Sequence, residues 1–232
     1  MRQLHDNLWV HEDSMKLGPV NLRLRTTIVR LVAGGLWVHS PTTLSAELRS
    51  QVDELGPVSA VLGPSNGHNL WLRDWADAYP DATVYVTPGI PKKQPALSGY
   101  QLLDEQTSAT WTDDFDANIM GGVPFLDECV FLHRASASLI VTDLVHNYRG
   151  QEQVGFAKVV TKLVMEPMGF KDICVAPPLR FKFMIKDRSA FVAFLEAVQR
   201  WDFDRIIVTH GDIIEDDAKQ TLSRLCERFT RG

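Results

Sequence analysis

The first forty residues carry short apolar runs with the length and alternation typical of antiparallel strands. Such runs occur at 7–11, 22–31 and 36–39. The last two runs are separated by Gly34 and Gly35, and a glycine pair between two apolar runs favours a tight turn. The pattern therefore predicts a hairpin that turns at these two glycines.

From residue 43 onward the apolar spacing becomes that of a helix. The apolar residues recur at intervals of three or four: Leu44, Leu48, Val52 and Leu55. Thr43 can cap this helix, and Gly56–Pro57 can end it. A strand at 58–62, a helix at 70–78 and a strand at 83–86 follow. Strands that alternate with helices predict a sheet with helices packed against it.

The second half of the chain contains shorter apolar runs. Most of 88–122 is rich in Pro, Gly, Asp and Thr and is predicted as loop. The remaining predicted strands are 123–126, 129–133, 139–142 and 205–209; the predicted helices are 156–165, one that begins at Ser189, and one that contains Leu222, Leu225 and Phe229. The sequence contains no internal repeat and no clear linker, so residues 1–232 are interpreted as a single domain.

Composition and charge argue against nucleic acids and membranes as partners of this protein. The chain has 24 Lys and Arg against 29 Asp and Glu, a net charge of -5, whereas nucleic-acid binders carry a concentrated basic face. The amino-terminal residues lack the apolar core of a signal peptide, and charged residues interrupt every apolar stretch before 18 residues. We therefore expect a cytoplasmic protein that acts on a small molecule and has neither a nucleic-acid nor a membrane partner. The sequence does not predict an oligomeric state.

Cysteine usage limits the kind of metal site that the chain can form. The three cysteines are Cys129, Cys174 and Cys226, and no Cys-x-x-Cys pair occurs. An odd number of isolated cysteines argues against both a disulfide framework and a cysteine-rich zinc site. Glycine-rich phosphate loops and the Gly-x-Ser-x-Gly motif of serine hydrolases are also absent. Any metal would therefore be bound by histidine and carboxylate side chains.

Three ionisable residues follow predicted strands. His68 lies beyond the strand 58–62, Asp143 follows the strand 139–142, and His210 follows the strand 205–209. Ligands of sheets flanked by helices gather beyond the carboxyl ends of the strands. Taken singly, each residue has a simpler explanation, such as a hydrogen-bonded loop histidine, an Asp that caps a turn, or a strand exit. Their common position favours a shared site.

Two imidazoles and one carboxylate are the smallest set that holds a divalent transition metal ion. Neutral imidazole suits zinc, iron, manganese or nickel, and an open coordination position admits a water molecule. Glu128, just before a predicted strand, is a possible fourth ligand, although a surface carboxylate explains it equally well. His146 is a possible fifth ligand or a neighbour that supports the others.

At these residues the chain resembles the metallo-β-lactamase-like fold and, more narrowly, the uncharacterised bacterial family DUF4336. The resemblance covers nearly the whole chain and is carried by the segments 7–10, 35–41, 68–82, 127–133, 139–144 and 207–212. It implies an α/β fold, an αββα sandwich of two mixed sheets with helices on the outer faces. It also implies a metal site at one edge of the sandwich.

The resemblance is incomplete at the metal site. Classical members of the metallo-β-lactamase-like fold carry His-x-His-x-Asp-His where this chain reads Asn66-Gly67-His68-Asn69-Leu70-Trp71, so only His68 remains of that motif. Asp143 matches the aspartate that bridges two metals in the family, and His210 matches its last histidine. This reduced set implies one zinc or iron ion rather than two, held by His68, Glu128, Asp143 and His210.

Two classes of function are consistent with this reading. The first is a metal-dependent hydrolase of an ester, lactone or thioester. Asp143 would bind the ion and accept a proton from the attacking water, and Glu128 would bind the ion or act as a base. The second is a non-catalytic metal-binding or scaffold protein with the same fold. A variant of the first is iron-dependent redox chemistry.

Overall fold

Two β-sheets that pack face to face form the centre of the computed structural model, which describes residues 1–230. Helices cover the outer face of each sheet. The predicted αββα sandwich is therefore confirmed. No helix in the described residues is long and apolar enough to cross a membrane.

The first sheet contains seven strands that lie side by side in chain order. They are β1 (Arg2–His5), β2 (Leu8–Leu17), β3 (Val20–Arg30), β4 (Leu36–His39), β5 (Val58–Gly63), β6 (Thr83–Val86) and β7 (Gln101–Leu102). The pairs from β1 to β4 are antiparallel and those from β4 to β7 are parallel, so the sheet is mixed. The predicted hairpin joins β3 to β4, and Gly34 and Gly35 both adopt positive φ angles there.

The second sheet contains four strands in the order β13, β10, β9 and β8, and a pair of short strands lies beside it. Their bounds are β8 (Phe115–Ile119), β9 (Cys129–His133), β10 (Ser138–Val141), β11 (Val145–Asn147), β12 (Ile173–Val175) and β13 (Arg205–Val208). Strands β8, β9 and β10 pair antiparallel, whereas β10 and β13 pair parallel. This sheet is therefore also mixed.

Eight α-helical segments complete the described chain. They are α1 (Ala46–Leu55), α2 (Leu72–Ala78), α3 (Ile90–Lys93), α4 (Glu105–Ser108), α5 (Gly155–Val160), α6 (Glu166–Met168), α7 (Arg188–Gln199) and α8 (Ala218–Thr230). A π-helical turn, Thr161–Met165, joins α5 to α6. Helices α1 and α2 pack on the first sheet, and α7 and α8 pack on the second.

Aromatic side chains fill the space between the two sheets. The ring of Trp37 on β4 lies 4.5 Å from that of Phe115 and 5.0 Å from that of Phe131, measured between centroids. The layers between each sheet and its covering helices contain both aliphatic and aromatic side chains. As predicted, α7 buries one apolar face, formed by Phe191, Phe194, Leu195 and Val198.

Several predicted boundaries are wrong. Ser45 caps α1 instead of Thr43, because its hydroxyl accepts a hydrogen bond from the Leu48 amide at 3.1 Å. The stretch 88–122, predicted mostly as loop, contains β8. The predicted strand 123–126 is a turn, closed by a hydrogen bond from the amide of Leu126 to the carbonyl of Val123.

The strand register brings three loops to one edge of the sandwich. Strand β10 runs parallel to β13, and the amide of Thr209 donates to the carbonyl of Val141 at 3.2 Å. The loop after β5 reaches the same edge, because Pro64 accepts a hydrogen bond from the amide of Cys129 at the start of β9. The residues that follow β5, β10 and β13 therefore lie next to one another.

Candidate metal centre

Three histidines surround one carboxylate oxygen at this edge. The Oδ1 atom of Asp143 lies 3.4 Å from Nε2 of His68, 3.5 Å from Nε2 of His146 and 3.6 Å from Nε2 of His210. The ring of His210 lies 4.6 Å from that of His146 and 5.1 Å from that of His68, measured between centroids. Four possible metal ligands therefore converge, three from the loops after β5, β10 and β13 and one from strand β11.

The other ring nitrogen of each histidine is held by a polar neighbour. Nδ1 of His68 lies 2.8 Å from the Ser40 hydroxyl, and Nδ1 of His146 lies 2.7 Å from the Tyr148 hydroxyl. Nδ1 of His210 lies 3.2 Å from the carbonyl oxygen of Arg23. A carbonyl can only accept, so Nδ1 of His210 donates, and in the neutral ring Nε2 directs its lone pair at the cluster.

The second carboxylate oxygen of Asp143, Oδ2, contacts Ser65 and Gly67 instead of the histidines. The Ser65 hydroxyl donates a short hydrogen bond to Oδ2. Gly67 lies against the same oxygen, and a Cβ atom at this position would lie 3.0 Å from Oδ2, which is closer than an ordinary contact. Ser65 and Gly67 therefore fix the carboxylate with Oδ1 directed at the histidines.

Burial and the neighbouring groups shift the pKa of Asp143 in opposite directions. Burial alone would raise the pKa of Asp143, but interaction with the three histidine rings, His68 most of all, holds that pKa well below its usual range. Burial lowers the pKa of His146 to about 4, and the charges of His210 and His68 add to that effect while Asp143 opposes it. An ionised carboxylate beside a neutral imidazole is the state that metal binding requires.

Glu128 does not reach the cluster, which corrects its predicted roles as ligand and base. Its carboxylate is fully buried, and the two oxygens accept hydrogen bonds from the amides of Thr142 at 2.7 Å and Asp143 at 3.0 Å. Burial and, to a smaller extent, the charge of Asp143 raise the pKa of Glu128 to about 8, although hydrogen bonds from the backbone amides act in the opposite direction. Glu128 therefore holds the backbone that presents Asp143.

Two backbone features bring the loops together. Gly211, directly after His210, has a φ of 106°, and a side chain there would clash with the carbonyl of Asn147. Ser40, a non-glycine residue, has a φ of 53° while its hydroxyl contacts His68. Strained backbone at a non-glycine residue is concentrated at functional sites, and here it orients one of the ring partners.

The sequence placed four of these residues and missed their supports. His68, Asp143, His210 and His146 lie in the cluster, whereas Glu128 lies behind it. The hydroxyls of Ser40, Ser65 and Tyr148 carry no motif in the sequence, because their roles depend on which loops meet in space.

A cavity lies beside the cluster. It has a volume of about 560 Å³ and is lined by residues that include Asn21, Tyr148, Arg149, Gln151 and Phe170. The histidines themselves do not line it. Tyr148 connects the two, because its ring forms part of the cavity wall while its hydroxyl contacts His146.

The donor set fits a divalent transition metal ion. His68, Asp143 and His210 each offer a ligand atom, and these atoms all lie within 4.8 Å of one another. Nε2 of His146 is buried and lacks a hydrogen-bond partner in the described part of the chain, although it faces Asp143. Buried polar atoms are nearly always satisfied, so this orphaned nitrogen is consistent with a fourth ligand.

The amino-acid sequence matches one known family. The model for the family described as "Domain of unknown function (DUF4336)" matches residues 5–152, more than half of the 232 residues. The chain belongs to the DUF4336 family. This DUF4336 protein matches none of the curated proteins with which it was compared.

Solved structures show which fold this DUF4336 protein has. A metallo-beta-lactamase from Pontibacter korlensis is 11% identical, with a TM-score of 0.62, and the match covers 97% of both chains. A metallo beta lactamase from Erythrobacter litoralis, with beta mercaptoethanol in its active site, is 12% identical, with a TM-score of 0.63 and coverage of 98% of this chain and 95% of the other. The DUF4336 protein therefore has the metallo-β-lactamase-like fold over nearly its whole length.

Proposed function

We propose that this protein is a metal-dependent hydrolase that binds one divalent transition metal ion, zinc or iron, through His68, His146, His210 and Asp143. The observation that carries the proposal is the convergence of three Nε2 atoms on a single carboxylate oxygen, at 3.4, 3.5 and 3.6 Å. When bound, such an ion acts as a Lewis acid and makes water nucleophilic near neutral pH.

The chain's own residues supply orientation and charge at this site. Ser40, Tyr148 and the carbonyl of Arg23 hold the three rings by Nδ1, so that each Nε2 is directed inward. Ser65 holds Oδ2 of Asp143, which leaves Oδ1 to bind or to accept a proton from an attacking water. Loss of a partner that orients a ligand in this way typically weakens metal affinity about 10–100-fold.

Fold does not fix function, so the substrate class is proposed only by analogy with the fold. An ester, a lactone or a thioester is the class that we propose, since each presents a carbonyl carbon to a water nucleophile. The cavity beside Tyr148 can admit a small molecule. Its wall carries the cation Arg149 and the apolar side chains Met165 and Phe170, which suits an amphipathic substrate.

The same geometry also supports a second function, a structural metal site. Four ligands saturate a tetrahedral ion, and closed coordination is typical of structural zinc. The four side chains are at most 14% exposed. A non-catalytic member of the fold, in which the ion joins three loops, would show this arrangement.

Metal analysis combined with a substrate panel separates these functions. Protein purified without chelator is analysed for transition metals and is assayed with an aryl ester, a lactone, an acyl thioester and a β-lactam. We expect close to one equivalent of metal and turnover of at least one substrate, both lost in His68→Ala and His210→Ala. His133→Ala, which removes a buried histidine outside the cluster, is the control and should retain both.

Two results would overturn the proposal. Protein that holds metal but turns over none of the substrates would favour the structural function. Protein that contains no transition metal, or that retains its metal in both cluster variants, would show that the cluster is not a metal site.

A further inference from the structure

Exposed large apolar side chains are concentrated in one segment of the chain. Eight of the twelve found in the described residues lie between 154 and 183. Phe156 and Leu163 are both 72% exposed and Phe183 is 70% exposed. Scattered exposed apolar residues are ordinary, but a contiguous group marks an interaction site.

We call the exposed part of the segment that carries these side chains the 154–186 surface. Phe156, Val159 and Leu163 recur at intervals of three and four residues, so they share the outer face of α5 and the π-helical turn. Arg180 joins the next part of the surface to α6, because its guanidinium donates to the carbonyl of Pro167 at 3.2 Å. The rings of Phe181 and Phe183 follow, 5.8 Å apart.

The fold does not need this outer face. The same helical segment contacts the rest of the protein through its other side, where Thr161 and Met165 line the cavity with Val20 and Leu22. The outward apolar side chains, which are 47–83% exposed, therefore contribute little to the core. A chain that keeps them exposed carries a solubility cost, which a binding partner would remove.

The charge of the segment is opposite to that of the rest of the chain. Residues 154–186 contain six Lys or Arg and two Asp or Glu, a net charge of +4. The other residues contain 18 Lys or Arg and 27 Asp or Glu, a net charge of -9. Lys158 and Lys162 are exposed and one turn apart, beside the apolar row of α5.

We propose that the 154–186 surface binds peripherally to an anionic lipid bilayer. A helix with an exposed apolar face flanked by lysines lies in the plane of a membrane interface, with its apolar side chains among the acyl chains and its lysines at anionic headgroups. Self-association through this surface is disfavoured, because a two-fold contact would place two segments of charge +4 against each other. The proposal does not depend on the metal-dependent activity.

This surface also changes the expectation that the protein has no membrane partner. That expectation rested on the net charge of the whole chain and on the lack of a spanning segment. Peripheral binding requires neither, because it depends on the local charge and on the apolar area of one surface.

Vesicle flotation tests the proposal on the full chain. Vesicles of phosphatidylcholine alone are compared with vesicles that contain phosphatidylglycerol in addition. We expect binding only to the anionic vesicles, weakened by salt, and reduced about tenfold or more both in the double variant F156S/L163S and in K158Q/K162Q. The matched controls are V32S, which changes a side chain that is 73% exposed elsewhere, and K92Q; both should bind like the wild type.

Three outcomes would overturn the proposal. The first is no binding to the anionic vesicles. The second is equal binding of the wild type and both double variants. The third is a wild-type dimer in size-exclusion chromatography that F156S/L163S converts to a monomer, together with no vesicle binding, since that result would assign the surface to a second copy of the chain.

Discussion

Two groups of buried histidines in this protein differ in what surrounds them. His68, His146 and His210 meet at Asp143 on the edge of the sandwich, whereas His39 and His133 lie in its interior and are completely buried. His39 stacks on Trp37 at a centroid distance of 5.2 Å, and both of its ring nitrogens lack a hydrogen-bond partner among the described residues. Burial alone therefore does not identify a functional histidine.

The difference lies in the neighbouring charge. Each edge histidine pairs one nitrogen with a polar group and directs the other at a common carboxylate. The interior histidines pair with no carboxylate: the ring nitrogens of His39 have no hydrogen-bond partner within the part of the chain that the structure describes, and those of His133 contact Asn7 and Ser136. Accordingly, burial lowers the pKa of His39 to about 3 and that of His133 to about 4, and no carboxylate opposes the shift. The carboxylate is what makes the edge group a possible metal site.

Removal of that carboxylate charge should have the largest effect. Asp143→Asn keeps the shape of the side chain but replaces the anionic oxygen at the centre of the cluster. Loss of a partner behind a ligand typically weakens metal affinity about 10–100-fold, and loss of the central ligand should exceed that, by about 1000-fold or more. Competition with a chromophoric chelator measures the affinity.

The matched control for Asp143→Asn is Asp114→Asn. Asp114 is also buried, but its carboxylate accepts hydrogen bonds from the amide of Val32, away from the cluster. Its substitution should leave the metal affinity unchanged. If both variants bind metal as the wild type does, the edge and interior histidines do not differ in the way we describe.

The strand ends were predictable from sequence because the apolar runs end sharply. Strands β5, β10 and β13 are short buried runs, β5 ended by Gly63 and Pro64 and the other two by a threonine, and such runs are visible without a structure. Strand β8 was missed because it lies within a stretch rich in Pro, Gly and Asp. The run 123–126 is apolar because Val123 and Leu126 are buried, although their backbone forms a turn. The apolar character of 123–126 therefore reflects burial of its side chains and not the geometry of a strand.

The direction of a side chain was not predictable. Glu128 directly precedes a predicted strand and has the carboxylate of a metal ligand. Its oxygens nevertheless face the backbone amides that follow β10. Whether a carboxylate faces a metal or a backbone depends on loop geometry of a few ångströms. His146 was placed better, because three residues after Asp143 it returns to the same edge through the short strand β11.

Of the buried histidines with a strongly lowered pKa, His39 has the lowest value, so it should contribute most among them to the loss of stability at acidic pH. The folded-state pKa of His39 is about 3, below its ordinary value of 6.5, so the unfolded chain takes up a proton that the folded chain does not. Stability is therefore complete above about pH 6.5 and declines as the pH falls toward 3. At pH 4.5 the loss from His39 is about 3 kcal/mol relative to pH 7.

His39→Phe isolates the contribution of His39 to the pH dependence of stability, because it keeps an aromatic ring against Trp37 and removes the titrating group. Urea unfolding at pH 7 and pH 4.5 should show a smaller pH-dependent loss in the variant, by about 3 kcal/mol. Phe131→Leu, which alters packing on the same ring without changing any charge, should keep the wild-type pH dependence. An unchanged pH dependence in His39→Phe would mean that folding does not lower the pKa of His39.

The smallest effect should come from the partners that orient the edge rings. Tyr148→Phe removes the hydroxyl 2.7 Å from Nδ1 of His146 but keeps the ring that lines the cavity. Metal affinity should fall about 10–100-fold, with stability close to that of the wild type. Tyr79→Phe removes a hydroxyl that contacts Asp53 on the surface and should leave the affinity unchanged. An equal affinity in both variants would show that the edge histidines, like those of the interior, need no polar partner to keep their orientation.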